Sequence, residues 1–219
     1  MIMKEFKVNM TRRFVQLASE IIRTKNDIIM LLLEAIPLLS FGEIVERPDN
    51  NYIVLRVDKM KRLFFVIDDK IYSFNFPFNV DVLPEVKNPV IYDSMTDLEI
   101  TGVNHAVITT TFQEIFNGEE NQGILDLDSD VMRILESFEQ QPNKDQIWQI
   151  LKKLLVFESG YLRYDYDVKL ENGRLHPLHH LDINYTTGNT FKVGINNTIN
   201  CVDFIDILDT GTNCYYISK

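Results

Sequence analysis

The stretch YLRYDYDVKLENGRLHPLHHLDINY, residues 161–185, holds three of the chain's four histidines, His176, His179 and His180, beside Arg163, Asp165, Asp167 and Asp182. Side chains of these types at this density suit two kinds of chemistry. Aspartates with an imidazole form a ligand set for Mg²⁺ or Mn²⁺, with waters completing the shell. A cation so held activates water against a phosphodiester. Without a metal, His176 and His180 pair as base and acid, Asp165 orients His180, and Arg163 counters phosphate charge. A noncatalytic reading stands beside both, because Arg–Asp and Asp–His pairs across a solvated sheet face also stabilise strands.

Two alternating segments with Asn172-Gly173 between them must position these groups, and that dipeptide predicts a two-residue hairpin turn. If Glu171 faces Arg174, the register sets Asp167 opposite Leu178, Asp165 opposite His180 and Arg163 opposite Asp182. One face then carries Arg163, Asp165, Asp167, His180, Asp182 and Asn184, joined by His176. The other carries Leu162, Tyr164, Tyr166, Val168, Leu181 and Ile183 for a core, with His179 among them. The polar face is read as half-exposed and His179 as a buried structural histidine. Pro177 has no N–H for a ladder, so the second strand is an edge there or bulges. The candidate catalytic residues are therefore His180, His176, Asp165 and Arg163, and the candidate metal ligands are Asp165, Asp167, His180 and Asp182.

RYDYD followed by HPLHHLDIN resembles a signature of uncharacterised bacterial families, Arg-aromatic-Asp-aromatic-Asp and then His-Pro-x-x-His, met among mobile-element and defence-associated genes. The resemblance spans about residues 160–195. It implies that Arg163, Asp165, Asp167, His176, Pro177 and His180 are the characteristic positions of such a family, and it brings no established activity with it.

Composition narrows what surrounds the hairpin. A chain of 219 residues, 45% hydrophobic, buries a full core as one domain or two small ones. Its formal charge of −10 works against nonspecific attraction to nucleic acid or anionic membranes, so any nucleic-acid contact is local. Cys201 and Cys214 lack metal-ligand spacing and are read as reduced thiols. The most apolar window, IIMLLLEAIPLL at 28–39, contains Glu34 and Pro37 and falls short of the roughly 20 residues of a membrane span. A cytoplasmic protein is expected.

Phe14, Leu17, Ala18 and Ile21 fall at helical spacing, and Asn26 or Asp27 can cap a second helix to about Leu39. These helices are expected to cover a sheet, or else to offer an apolar surface to a protein partner or a second copy. FGEIVER, YIVLRV, RLFFVID and KIYSFNF read as an antiparallel meander, and the proline-rich 75–94 as an extended connection. His105 stands alone in a β-branched run where a strand is expected at 106–112. Two helices follow, on Val131, Ile134, Leu135 and Phe138 and on Ile147, Ile150, Leu151 and Leu154, with Asn143 and Gln146 as a capping box for the latter. After the hairpin come a strand at 190–195 and a helix or strand through Phe204, Ile207 and Leu208. The fold class is α+β: N-terminal helices with an antiparallel β-meander, then helices and a C-terminal β-hairpin unit, divided between residues 1–95 and 96–219. The expected function is phosphodiester cleavage of a defence or toxin type, with a noncatalytic accessory or binding component as the alternative.

Overall fold

The computed structural model describes residues 4–20, 22–117, 127–138, 143–186 and 189–214, and its class is α+β. Ile21 lies outside the described residues. The chain forms two compact units that interleave in sequence, one drawn from Met1–Ile21, Val45–Phe76 and Ser159–Lys219, the other from Ile22–Ile44 and Pro77–Glu158. Meander and hairpin thus share a sheet, although a division at residue 95 would have parted them.

The first unit is a seven-stranded antiparallel sheet in the order β1-β2-β3-β4-β8-β9-β10. Its strands are β1 (Lys4–Asn9), β2 (Tyr52–Val57), β3 (Lys61–Ile67), β4 (Lys70–Asn75), β8 (Leu162–Tyr166), β9 (His179–Thr186) and β10 (Asn189–Gly194). Three of the four expected meander strands form as β2 to β4. The fourth does not come from FGEIVER, most of which stays irregular while Val45 donates its N–H to Lys7 O. Its place beside β2 goes to β1, whose Phe6 and Val8 are buried.

Each sheet face has its own cover. Helix α1 (Arg12–Ala18) lays Phe14 flat against Phe65 at 6.0 Å, and Tyr72 donates its hydroxyl hydrogen to Ala18 O. On the opposite face α6 (Cys201–Leu208), a helix, buries Cys201, Phe204 and Ile205 against Val54, Phe64, Ile71, Leu162, Tyr164 and Leu181. The apolar side of the hairpin is therefore core, as its alternation predicts. Only its outer members, Tyr166, Val168 and Ile183, are exposed.

One cross-strand row on the α1 face runs Ile53, Phe65, Tyr72, Arg163, Asp182, Lys192. Apolar side chains on the central strands give way to charged ones toward the β10 edge. Strand β8 is held in this row from both ends. Asn75 donates its N–H to Ser159 O and Tyr166 to Asp69 O, while the buried Arg62 guanidinium reaches Gly160 O at 2.5 Å, Asn75 Oδ1 at 2.7 Å and Ser73 Oγ at 2.9 Å.

In the second unit α2 (Lys25–Phe41) starts two or three residues earlier than expected. Thr24 is its N-cap and Asp27 the returning partner of a capping box. Its Ile28, Ile29, Leu31, Leu32, Leu33, Ala35, Ile36 and Leu39 are buried within the chain, so those side chains are not an outer surface for a partner. Residues 102–117 form a helix, α3 (Gly102–Asn117), and not the strand expected at 106–112. Val107, Ile108, Thr111 and Phe112 recur at one-turn spacing and are all buried, and that burial outweighs the β-propensity of their branched side chains. Helices α4 (Leu127–Glu136) and α5 (Lys144–Val156) form where their apolar faces predict. Asn143 caps α5 by accepting from Gln146 N, but the Gln146 amide reaches Thr96 O instead of closing the box. The connection at 75–94 is partly strand: β5 (Asn79–Asp81) and β6 (Val90–Asp93) pair, and β7 (Leu98–Glu99) completes a three-stranded antiparallel sheet. No helix among the described residues is long and apolar enough to cross a membrane.

Candidate metal centre

The expected register holds where the strands pair: Arg163 faces Asp182, Asp165 faces His180 and Tyr166 faces His179. The turn does not. Strands β8 and β9 end at Tyr166 and begin at His179, and an isolated bridge joins Asn172 to His176, with Asn172 N donating to His176 O. Gly173 keeps the positive φ that recommended it, at 52°, but the tight turn spans 172–176 inside a longer excursion. Two features force this. Pro177 cannot extend the ladder, and Asp167 turns its Oδ1 back onto the N–H groups of Lys169 and Leu170, bending the chain out of the strand.

Asp165, His180 and Asp182 come together as a buried triad, one ligand atom from each lying within 4.8 Å of the others. His180 Nε2 stands 3.5 Å from Asp165 Oδ2 and 3.9 Å from Asp182 Oδ1. Its Nδ1 donates to Pro177 O at 2.8 Å, which turns Nε2 toward the carboxylates. Arg163 spans the pair, with Nε 2.7 Å from Asp165 Oδ2 and Nη2 2.5 Å from Asp182 Oδ2. Each carboxylate keeps one oxygen over. Asp165 Oδ1 and Asp182 Oδ1 are buried and have no hydrogen-bond partner among the described residues. An orphaned buried acceptor costs about 1–3 kcal/mol, and more when it is charged.

The polar face, expected to be half-exposed, is buried at its centre, while Arg163, Asp167, His176 and Asn184 around it are half-buried. The His180 side chain is 1% exposed, and Asp165 and Asp182 are buried with it. His179, expected to be buried, is half-buried instead; Tyr164 Oη lies 2.9 Å from its Nδ1 and Tyr166 stacks on its ring. The reversal follows from local cover: the His176 ring meets His180 edge-on and Lys192 Nζ lies 3.4 Å from its Nε2, while His179 sits at the start of β9.

Asp167 does not join the triad. Oδ1 is taken by the two turn amides and Oδ2 lies 3.1 Å from His176 Nε2. Burial alone would raise its carboxyl, but the Leu170 N–H and His176 outweigh that and hold it below the usual range. It positions His176, whose ring meets that of His180 edge-on at 4.7 Å. Lys192 completes the cluster from β10 as the cross-strand partner of Asp182, with Nζ 3.7 Å from Asp182 Oδ1. Its signal was present in the alternation of NTFKVG, once β10 pairs beside β9.

No family model, curated protein or solved structure matches this chain. What the cluster can do must therefore be argued from its own geometry. Two carboxylate oxygens and an imidazole nitrogen form a buried three-ligand set. The His180 ring is fixed through its second nitrogen by a backbone carbonyl, the arrangement usual for metal-bound histidines.

Proposed function

We propose that Asp165, His180 and Asp182 bind a divalent cation and that the protein is a metal-dependent phosphodiester-cleaving enzyme. The observation that carries the metal is the buried Asp165–His180–Asp182 triad, in which each carboxylate keeps one orphaned buried oxygen. A cation between them satisfies both. Mixed imidazole and carboxylate donors suit Mn²⁺ better than Mg²⁺, which prefers oxygen throughout.

The reaction class rests on what surrounds that position. Half-buried Arg163 and the more exposed Lys192 border the triad and offer hydrogen bonds and positive charge to phosphate oxygens within a chain of net charge −10. A bound cation would lower the pKa of a coordinated water. The water oxygen would bond to phosphorus as the ester P–O bond breaks, one proton passing to solvent and the departing alkoxide taking up a proton. The resemblance of RYDYD and HPLHH to a signature met among defence-associated families is what supports a defence or toxin setting.

A noncatalytic role is favoured by a different observation: Arg163 and Lys192 supply two cations for two aspartates, so a buried ion network balances its charge without metal. Titrating Mn²⁺ into the protein separates the two. Metal binding raises the melting temperature of the wild type, because a ligand of the folded state stabilises it, and Asp182→Asn loses that response. Mn²⁺-dependent hydrolysis of bis(p-nitrophenyl) phosphate or a single-stranded oligonucleotide then supports the enzyme. An unchanged melting curve and an unchanged Mn²⁺ paramagnetic spectrum at millimolar metal leave the noncatalytic network.

A further inference from the structure

Lys192 Nζ lies 3.3 Å from His176 Nδ1, 3.4 Å from His180 Nε2 and 3.7 Å from Asp182 Oδ1. An ammonium only donates, so both ring nitrogens face it as acceptors. The opposite nitrogen of each ring is already engaged, His180 Nδ1 with Pro177 O and His176 Nε2 with Asp167 Oδ2. Two imidazole lone pairs and one buried carboxylate oxygen therefore converge on a single positive charge. That is the environment a divalent cation would take, with His176 and its Asp167 forming a carboxylate–histidine pair of the kind that orients metal ligands.

We propose that Lys192 is the resident cation of this site, that a metal displaces its ammonium, and that His176 then becomes a fourth protein ligand. The inference rests on the metal reading above and adds what controls it. Lys192 is suited to leave: its side chain is 39% exposed, on the edge strand β10, and a lysine stem can swing its charge into water. Arg163 is not, being pinned by two carboxylates. The ammonium and an incoming metal cannot share one set of lone pairs, so Lys192 sets the affinity of the site. Once displaced to the rim it is placed to meet a phosphate oxygen of the substrate.

The test uses full-length protein and Mn²⁺ alone, followed by calorimetry and by the paramagnetic spectrum of free Mn²⁺. Lys192→Met keeps the stem and removes the charge. It is expected to tighten Mn²⁺ binding at least about tenfold, because the metal no longer has to displace a cation from the same lone pairs, whereas His176→Ala weakens binding about tenfold or more. In the wild type, saturating Mn²⁺ is expected to increase reductive methylation of Lys192, read by peptide mass spectrometry against Lys169 as internal reference. Wild-type binding with Lys192→Met equal or weaker, or Lys192 methylation unmoved by Mn²⁺, overturns the resident-cation role and leaves the metal site standing. No binding by either protein overturns the metal reading and this inference together.

Discussion

Asp165 stands directly opposite His180 across β8 and β9, its Oδ2 3.5 Å from the imidazole Nε2, and both side chains are buried. The burial changes what substitution does. His180→Ala removes the hydrogen bond to Pro177 O, opens a cavity and leaves Asp165 and Asp182 facing it, at an expected cost of about 2–4 kcal/mol. His179→Ala, half-buried with one hydrogen bond to Tyr164, is expected to cost about 1 kcal/mol. Urea denaturation of the two variants checks the order, which is the reverse of what the alternating pattern alone suggests.

That reversal marks where sequence stops being informative. The register expected from the alternation holds although the two-residue turn at Asn172-Gly173 does not form, and it brought Asp165, His180, Arg163 and Asp182 together on one face. Which face is buried was not legible, since both sides of this sheet are covered and polarity no longer signals solvent. Asp167 looked like a ligand by its two-residue spacing from Asp165, yet its position one step beyond the last paired residue let local turn amides claim it. Strand β1 was missed because KEFKVN is too polar to stand out, while the β-branched run at 107–111 pointed to a strand that helical burial overrode.

Gly160 at φ 54° precedes β8, and a Cβ there would come within 3.1 Å of Arg62 Nη1 and 3.0 Å of Asn75 Nδ2. Gly160→Ala is expected to destabilise by about 1–3 kcal/mol, from the strained φ and the disturbed Arg62 anchor together. Arg62 has its guanidinium pushed down to about 10 by burial, so it depends on those neutral acceptors. Thermal melting of the variant at neutral pH checks this, and an unchanged midpoint would remove Arg62 from the features that hold β8.

Cys201, the first residue of α6, is buried against the sheet and burial pushes its thiol up to about 11, whereas Cys214 is exposed. A thiolate-specific reagent at pH 8 is expected to modify Cys214 within minutes and Cys201 only on unfolding, because the thiolate is the reacting form. Equal rates for the two, read by peptide mapping, would show that α6 does not stay docked.

Asp93 is 1% exposed and paired with Lys153, and Thr96 donates both its N–H and its hydroxyl to Oδ2 at 3.0 Å. Burial alone would raise this carboxyl, but the Lys153 and Thr96 hydrogen bonds outweigh it and hold it below the ordinary value. A carboxyl depressed in the folded state contributes stability that is whole above its unfolded pKa, about 3.9, and is lost as pH falls through the folded one. Asp93→Asn is therefore expected to cost about 3 kcal/mol at pH 7 and progressively less below pH 4. Denaturation series at several pH values check the slope; a cost that stays constant through pH 3 would mean that the pair contributes packing and not charge.

Pro37 lies inside α2 and has no N–H to give to Leu33 O, four residues before it. His105, on α3, fills that place: its Nε2 is 2.8 Å from Leu33 O, and since a carbonyl only accepts, Nε2 is the protonated nitrogen. The lone histidine of the N-terminal half is thereby accounted for as the donor that a proline took away. His105→Ala orphans the carbonyl and is expected to cost about 1–3 kcal/mol. Pro37→Ala returns a backbone donor to the same oxygen, so the second substitution matters far less once the first is made. A double-mutant cycle by urea denaturation is expected to give a coupling of about 1 kcal/mol or more, with His105→Ala costing markedly less in the Pro37→Ala background. Additive costs would mean that the Leu33 carbonyl finds its partner elsewhere, and that His105 is held in place by packing alone.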